Sequence, residues 1–228
     1  MTTFTRVPID LVVVDAGPLI TLSIAGELRL LQKFRRPIRI LDVVKAECTR
    51  FRDKPGANEL ASWFSEAEGR DYSTIETPGH LARYLEAIAK EDAGDTNRPS
   101  QGIGDEAITW YLVNVSKIER GKDVVLVLLE DAAFGDGVLS TQTPEVAAVS
   151  TRAFLRTLQN FDLIESADAI IKRVEENSGG MRAMARYLAD RPGRLGPNAR
   201  TDWNAPLQSE DDGPDGGMSG GPSGGRSG

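Results

Sequence analysis

Two runs of branched aliphatic residues constrain the fold most: "LVVV" at 11–14 and "VVLVLL" at 124–129. Neither alternates apolar with polar side chains. Successive strand residues point to opposite faces, so an uninterrupted apolar run needs cover on both sides. Shorter extended signals occur at 38–41 ("IRIL"), 72–76 and 146–149 ("VAAV"). Between them lie helical stretches near 18–34 (broken at Gly26), 43–51, 57–67, 79–90, 103–118, 151–160 and 165–189. In 103–118 the residues Ile108, Tyr111, Leu112, Val115 and Ile118 form one stripe. Strands alternating with helices predict a three-layer α/β/α domain around a central, mostly parallel sheet. No internal repeat is visible.

That body is expected to end at residue 189. Residues 190–228 hold 10 of the 23 glycines and 5 of the 12 prolines, and such a segment buries too little apolar surface to offset its ordering entropy. It reads as a disordered Gly/Pro-rich tail. Residues 89–104 read as a polar loop within the body.

Open α/β sheets bind ligands beyond the carboxyl ends of their strands. Asp15 ends the first aliphatic run, and Glu130 and Asp131 end the "VVLVLL" run. Two further acids sit beside apolar stripes. Glu47 has Val44 three positions before it and Phe51 four after, and Asp105 lies three before Ile108 and seven before Leu112. A carboxylate at the edge of a core is costly unless paired or bound to a cation. Glu106 points about 100° away from Asp105. Each acid also has an ordinary explanation. Asp15 could cap the following helix, Asp105 could favour the helix macrodipole, Glu47 could pair with Arg50, and Glu130–Asp131 could be a solvated turn.

Taken in order, the residues resemble a known family. "VVVDAGPLITLSIAGELRLL", "LDVVKAEC", "GIGDEAI" and "LLEDAAF", followed by "VAAVSTRAFLRTLQNFDLI", are similar to the motifs of PIN domains. These are small metal-dependent ribonucleases that include VapC-type toxins and RNA-processing nucleases. The likeness covers about residues 9 to 170 and implies a PIN-like nuclease domain over 1–189. It carries the family's acidic cluster onto Asp15, Glu47, Asp105 and Asp131 as catalytic residues and metal ligands. Asp131 is preferred to Glu130 because "DAAF" fits the Asp-x-x-Phe pattern. Thr151 matches a hydroxyl that accompanies the acids. The third motif departs from Gly-Glu and reads "GDEAI", so Asp105 and Glu106 are both eligible. The loop at 89–104 is long for the family.

Carboxylates suit Mg²⁺ or Mn²⁺. The one histidine, His80, and the one cysteine, Cys48, argue against a zinc site, a Ser-His-Asp triad and a disulfide framework. The resemblance implies hydrolysis of RNA to products with a 5′ phosphate and a 3′ hydroxyl. A net charge of −7 excludes a general nucleic-acid coat acting through a basic surface, but bound cations would reconcile it with RNA. Lys33, Arg35, Arg36, Arg50 and Arg52 are candidates to hold flanking phosphates, with a solvated surface the first reading of them.

The resemblance leads to the expectation of a metal-dependent endoribonuclease, the toxin of a toxin–antitoxin pair. An antitoxin protein and a homodimer are the expected protein partners. The alternative is a catalytically inactive PIN-like module that binds RNA or protein. A haloacid-dehalogenase-like phosphotransferase is discounted because its second aspartate would fall on Gly17. The absence of a signal-peptide pattern or an apolar run of membrane-spanning length makes the expected location cytoplasmic.

Overall fold

Branched aliphatic runs become strands because their side chains fill a pleated surface well and lose little freedom there. The computed structural model describes residues 9–115, 124–130 and 146–178. The strands are β1 (Ile9–Val14), β2 (Ile38–Leu41), β3 (Ser73–Ile75), β4 (Val124–Leu128) and β5 (Val146–Val149). Among the described residues they form one sheet in the order β3-β2-β1-β4-β5, with every pairing parallel. Val12, Val13 and Val14 are each 0% exposed. Neighbouring strand residues face opposite ways, so this central strand is covered on both faces.

The helices are α1 (Ala16–Ile24), α2 (Asp42–Thr49), α3 (Ala57–Ala67), α4 (Pro78–Asp92), α5 (Ile103–Asn114), α6 (Thr151–Asn160) and α7 (Ala167–Asn177). The break expected at Gly26 is real. That glycine takes φ 70°, a left-handed conformation that costs it little, and a 3-10 helix then runs over Leu28–Phe34. Helix α1 packs on α2, α3 and α7, and α2 packs on α4 and α5. Phe34 stacks on Phe154 of α6 with ring centroids 4.5 Å apart. No helix among the described residues is long and apolar enough to cross a membrane.

The topology determines where a site can form. From β1 the chain steps outward through β2 to β3, then returns to lay β4 against the other side of β1 and continues to β5. The direction reverses between β1 and β4, and in open parallel sheets ligands bind at such a switch point, beyond the carboxyl ends of the strands. The register is Val13 beside Val127 and Val14 beside Leu128. The Asp15 amide donates to the Leu128 carbonyl at 3.0 Å, and the Leu129 amide to the Val149 carbonyl at 3.0 Å. Asp15, Glu130 and Thr151 therefore follow the ends of three adjacent strands.

Several boundaries differ from those expected. Helix α4 runs on to Asp92, so the polar loop begins later than residue 89. Asp131, the tail 190–228, and the expected helix ends at 116–118 and 179–189 lie outside the described residues.

Candidate functional site

Asp15 occupies the N-cap position of α1, but its side chain makes no capping hydrogen bond to that helix. The ordinary explanation for this acid thus fails, and its carboxylate acts elsewhere. It is one of the charges that raise the pKa of Glu47.

Glu47 is the centre of the cluster. Helix α2 begins directly after β2, and its contact with α5 sets Glu47 against the first turn of that helix. A Cβ built on Gly104 would lie 2.7 Å from Glu47 Oε1, so the glycine leaves the room that this carboxylate occupies. Burial, then Asp15, then Asp105 push the Glu47 pKa up to about 8, against the opposing pull of the Gly104 amide. The expected pairing with Arg50 does not form. Arg50 instead bridges Glu91 at 2.7 Å and Asp92 at 3.3 Å. Glu91 also accepts from the Ser100 amide and hydroxyl, which ties the 93–102 loop to α2 and α4. Those hydrogen bonds and Arg50 hold the Glu91 pKa down at about 2. Phe51, expected to share an apolar stripe with Glu47, is 50% exposed. The apolar support comes from Val43, Val44 and Cys48.

Helix α5 separates the two acids of "GDEAI". Asp105 faces Glu47 closely enough to raise its pKa. Glu106 turns outward to an exposed ion pair with Arg83 at 2.8 Å. The 100° between successive helical residues accounts for the difference.

Sequence reasoning underrated Glu130. It is not the end of a solvated turn, because its Oε1 atom is enclosed and has no hydrogen-bond partner among the described residues. Burial is the main cause of a pKa raised to about 7. Thr151 and Thr21 pull it down, Asp15 pushes it up and Arg152 pulls it down. The Thr151 hydroxyl, in a residue 2% exposed, is the neighbour that lowers it most. Gly17 makes room for this carboxyl, since a Cβ there would lie 2.7 Å from Glu130 Cγ. The "AGP" stretch after Asp15 was a signal for this: a glycine inside a helix implies close approach by a neighbour.

These two glycines give contrasting expectations. Gly17→Ala should lower stability by about 1–3 kcal/mol, because an enclosed side chain must move. Gly104→Ala meets only the far end of Glu47, so its melting temperature should change little while any function of that carboxyl declines. Thermal melts and activity of the two variants check this.

Asp15, Glu47, Asp105 and Glu130 thus form a carboxylate-rich group at the switch point. Like charges in low dielectric repel unless some are protonated or a cation joins them, and oxygen donors of this kind fit Mg²⁺ or Mn²⁺. Among the described residues no three Asp, Glu, His or Cys side chains close into a metal-holding group. A solvated surface is the first reading of the basic residues considered for flanking phosphates, and four of them can be placed. Arg50 is engaged as above, and Lys33, Arg35 and Arg36 precede β2, at the opposite end of the sheet from its carboxyl edge. No family model matches the chain, and no curated protein or solved structure matches it either.

Proposed function

We propose that the protein is a Mg²⁺- or Mn²⁺-dependent ribonuclease acting at the carboxyl edge of its sheet. The observation that carries this reading is the approach of Asp15 and Asp105, from separate parts of the chain, to Glu47 closely enough for each to raise its pKa. In this reading Asp15, Glu47, Asp105 and Asp131 hold the ion, with Glu130 and Thr151 beside them. When bound, it would act as a Lewis acid and lower the pKa of a water molecule.

The chain's own residues add two capabilities. Glu47, with Asp15 and Asp105 beside it, would hold the ion or orient the attacking water. The enclosed Glu130 carboxyl, whose Oε1 atom has no hydrogen-bond partner among the described residues, can orient a water, with the Thr151 hydroxyl beside it. Attack of water oxygen on phosphorus with departure of the 3′ oxygen leaves a 5′ phosphate and a 3′ hydroxyl. A cytoplasmic toxin held in check by an antitoxin, and assembled as a homodimer, is the physiological setting this reading favours.

Purified protein with Mn²⁺ and a structured RNA should yield fragments with 5′ phosphates. EDTA should stop the reaction, and Asp15→Asn should abolish it while leaving the circular dichroism spectrum unchanged. Undiminished cleavage by that variant would sink the assignment. That no three such side chains close into a metal-holding group among the described residues leaves a second reading, a module that binds RNA or protein without cleaving. Manganese discriminates between them: a nuclease should gain several degrees in melting temperature at millimolar Mn²⁺, and an inactive module should not.

A further inference from the structure

At the end of the sheet opposite the acids, the residues preceding β2 and β3 enclose an open hollow of about 400 Å³. Arg35, Arg36 and Arg39 come from one segment, and Arg70 from the other. Four arginines and one acid, Asp71, line the hollow. That carboxylate is already engaged, by Arg70 at 2.9 Å and by the Gln32 amide at 2.8 Å. Arg35 and Arg36 are exposed and make no ion pair among the described residues. In a chain of net charge −7, such a concentration of positive charge runs against the background. Arg35 moreover sits at φ 50° in the left-handed region, closing the 3-10 helix. Glycine or asparagine suits that position better. The chain holds an arginine there despite the backbone cost.

We propose that this hollow is a phosphate-binding surface that anchors the RNA substrate away from the cleavage centre. The proposal rests on the ribonuclease reading for its choice of RNA. Planar guanidinium forks recognise phosphate oxygens bidentately, and a cluster of them gives affinity without reading sequence. β2 separates the hollow from the carboxyl edge, and its four residues span roughly 13 Å. A few nucleotides of RNA cover that distance, so one structured RNA reaches both places. The arrangement gives an acidic protein a local grip on a polyanion, while the carboxylates at the other edge repel any strand that arrives without cations.

The test is fluorescence anisotropy of the full chain with a labelled RNA hairpin in EDTA, where no cleavage occurs, across 50–200 mM KCl. Arg35→Gly combined with Arg36→Gln suits the φ of residue 35 and should melt with the parent. It should bind at least ~10-fold more weakly at 50 mM salt and lower the slope of log affinity against log salt by about 2. Arg35→Lys with Arg36→Lys keeps the charge and should retain most of the affinity. Unchanged affinity and slope in the Gly/Gln variant would overturn the proposal. Binding of polyglutamate that the variant loses, with RNA binding unaffected, would assign the hollow to an acidic protein and overturn it equally. Cleavage and anchoring fail separately: Asp15→Asn should stop cleavage yet bind the hairpin in EDTA at least as tightly as the parent, since one repelling carboxylate is gone, and an Asp15→Asn protein that still cleaves would refute the catalytic reading alone.

Discussion

Asp105→Asn is expected to reduce Mn²⁺-dependent RNA cleavage by roughly 100-fold or more, and Glu106→Gln to leave it within about threefold. Loss of an outer partner of a metal ligand typically costs about 10–100-fold, so loss of a ligand should cost at least as much. Asp105 contributes to the elevated proton affinity of Glu47. Glu106 is spent on an exposed pair with Arg83, worth about 1 kcal/mol at most. Asp105→Asn should also leave the metal-free protein as stable as the parent, or more so, because it removes one of the repelling charges. Initial rates and melting temperatures in EDTA check both statements. A ranking with Glu106 as the more damaging site would shift the ligand one residue along the helix.

The metal-free protein should become more stable as pH falls from about 8 towards 5. The folded state raises Glu47 from an ordinary value of 4.5 to about 8 and Glu130 from 4.5 to about 7. A carboxyl with a raised folded pKa binds its proton more tightly folded than unfolded. Its favourable contribution is therefore complete below 4.5, declines as pH rises through the window, and is gone above the folded pKa. At ~1.4 kcal/mol per pH unit, Glu47 alone accounts for on the order of 3 kcal/mol. Glu47→Gln should remove most of this slope and raise the melting temperature at pH 8. The smaller dependence due to Glu130 should remain. Saturating Mn²⁺ should flatten the parent's profile. Melting curves in EDTA between pH 5 and 8.5 decide the matter, and a parent whose stability rises with pH over that range would contradict it. Below pH 4 other groups take over, because the folded pKa values of Glu68, Asp71 and Glu91 are lowered. The stability those groups contribute is lost as they protonate.

The alternating elements were legible because periodicity is a local property. "IRIL", "VAAV" and the helices over 57–67 and 151–160 occupy the expected spans. Asp15 and Glu47 were legible for a related reason, since a carboxylate ending an aliphatic run or edging an apolar stripe is an anomaly visible within ten residues. The environment of Glu130 was not. Its enclosure depends on Gly17 and Thr151, in the first turns of helices that follow neighbouring strands, and nothing near "LLED" distinguishes it from a solvated turn. The Arg50–Glu91 bridge was hidden likewise, joining residues 41 positions apart across two helices. The arginines before β2 were noticed as charges. Only the sheet's direction shows that they lie at the opposite edge from the acids.

The pairing of β1 with β4 also bears on how the chain is made. Val13 lies beside Val127, so the middle strand waits for more than a hundred later residues before one of its two edges is closed. At ~5–20 residues per second of synthesis, a ribosome takes several seconds to supply them. During that interval "LVVV" has no β4 partner, a bare apolar edge of the kind that invites aggregation. The same delay keeps Asp15 and Glu130 apart. An unfinished chain therefore lacks the assembled carboxylate group, and whatever chemistry it supports begins only once the second half has been translated and has docked.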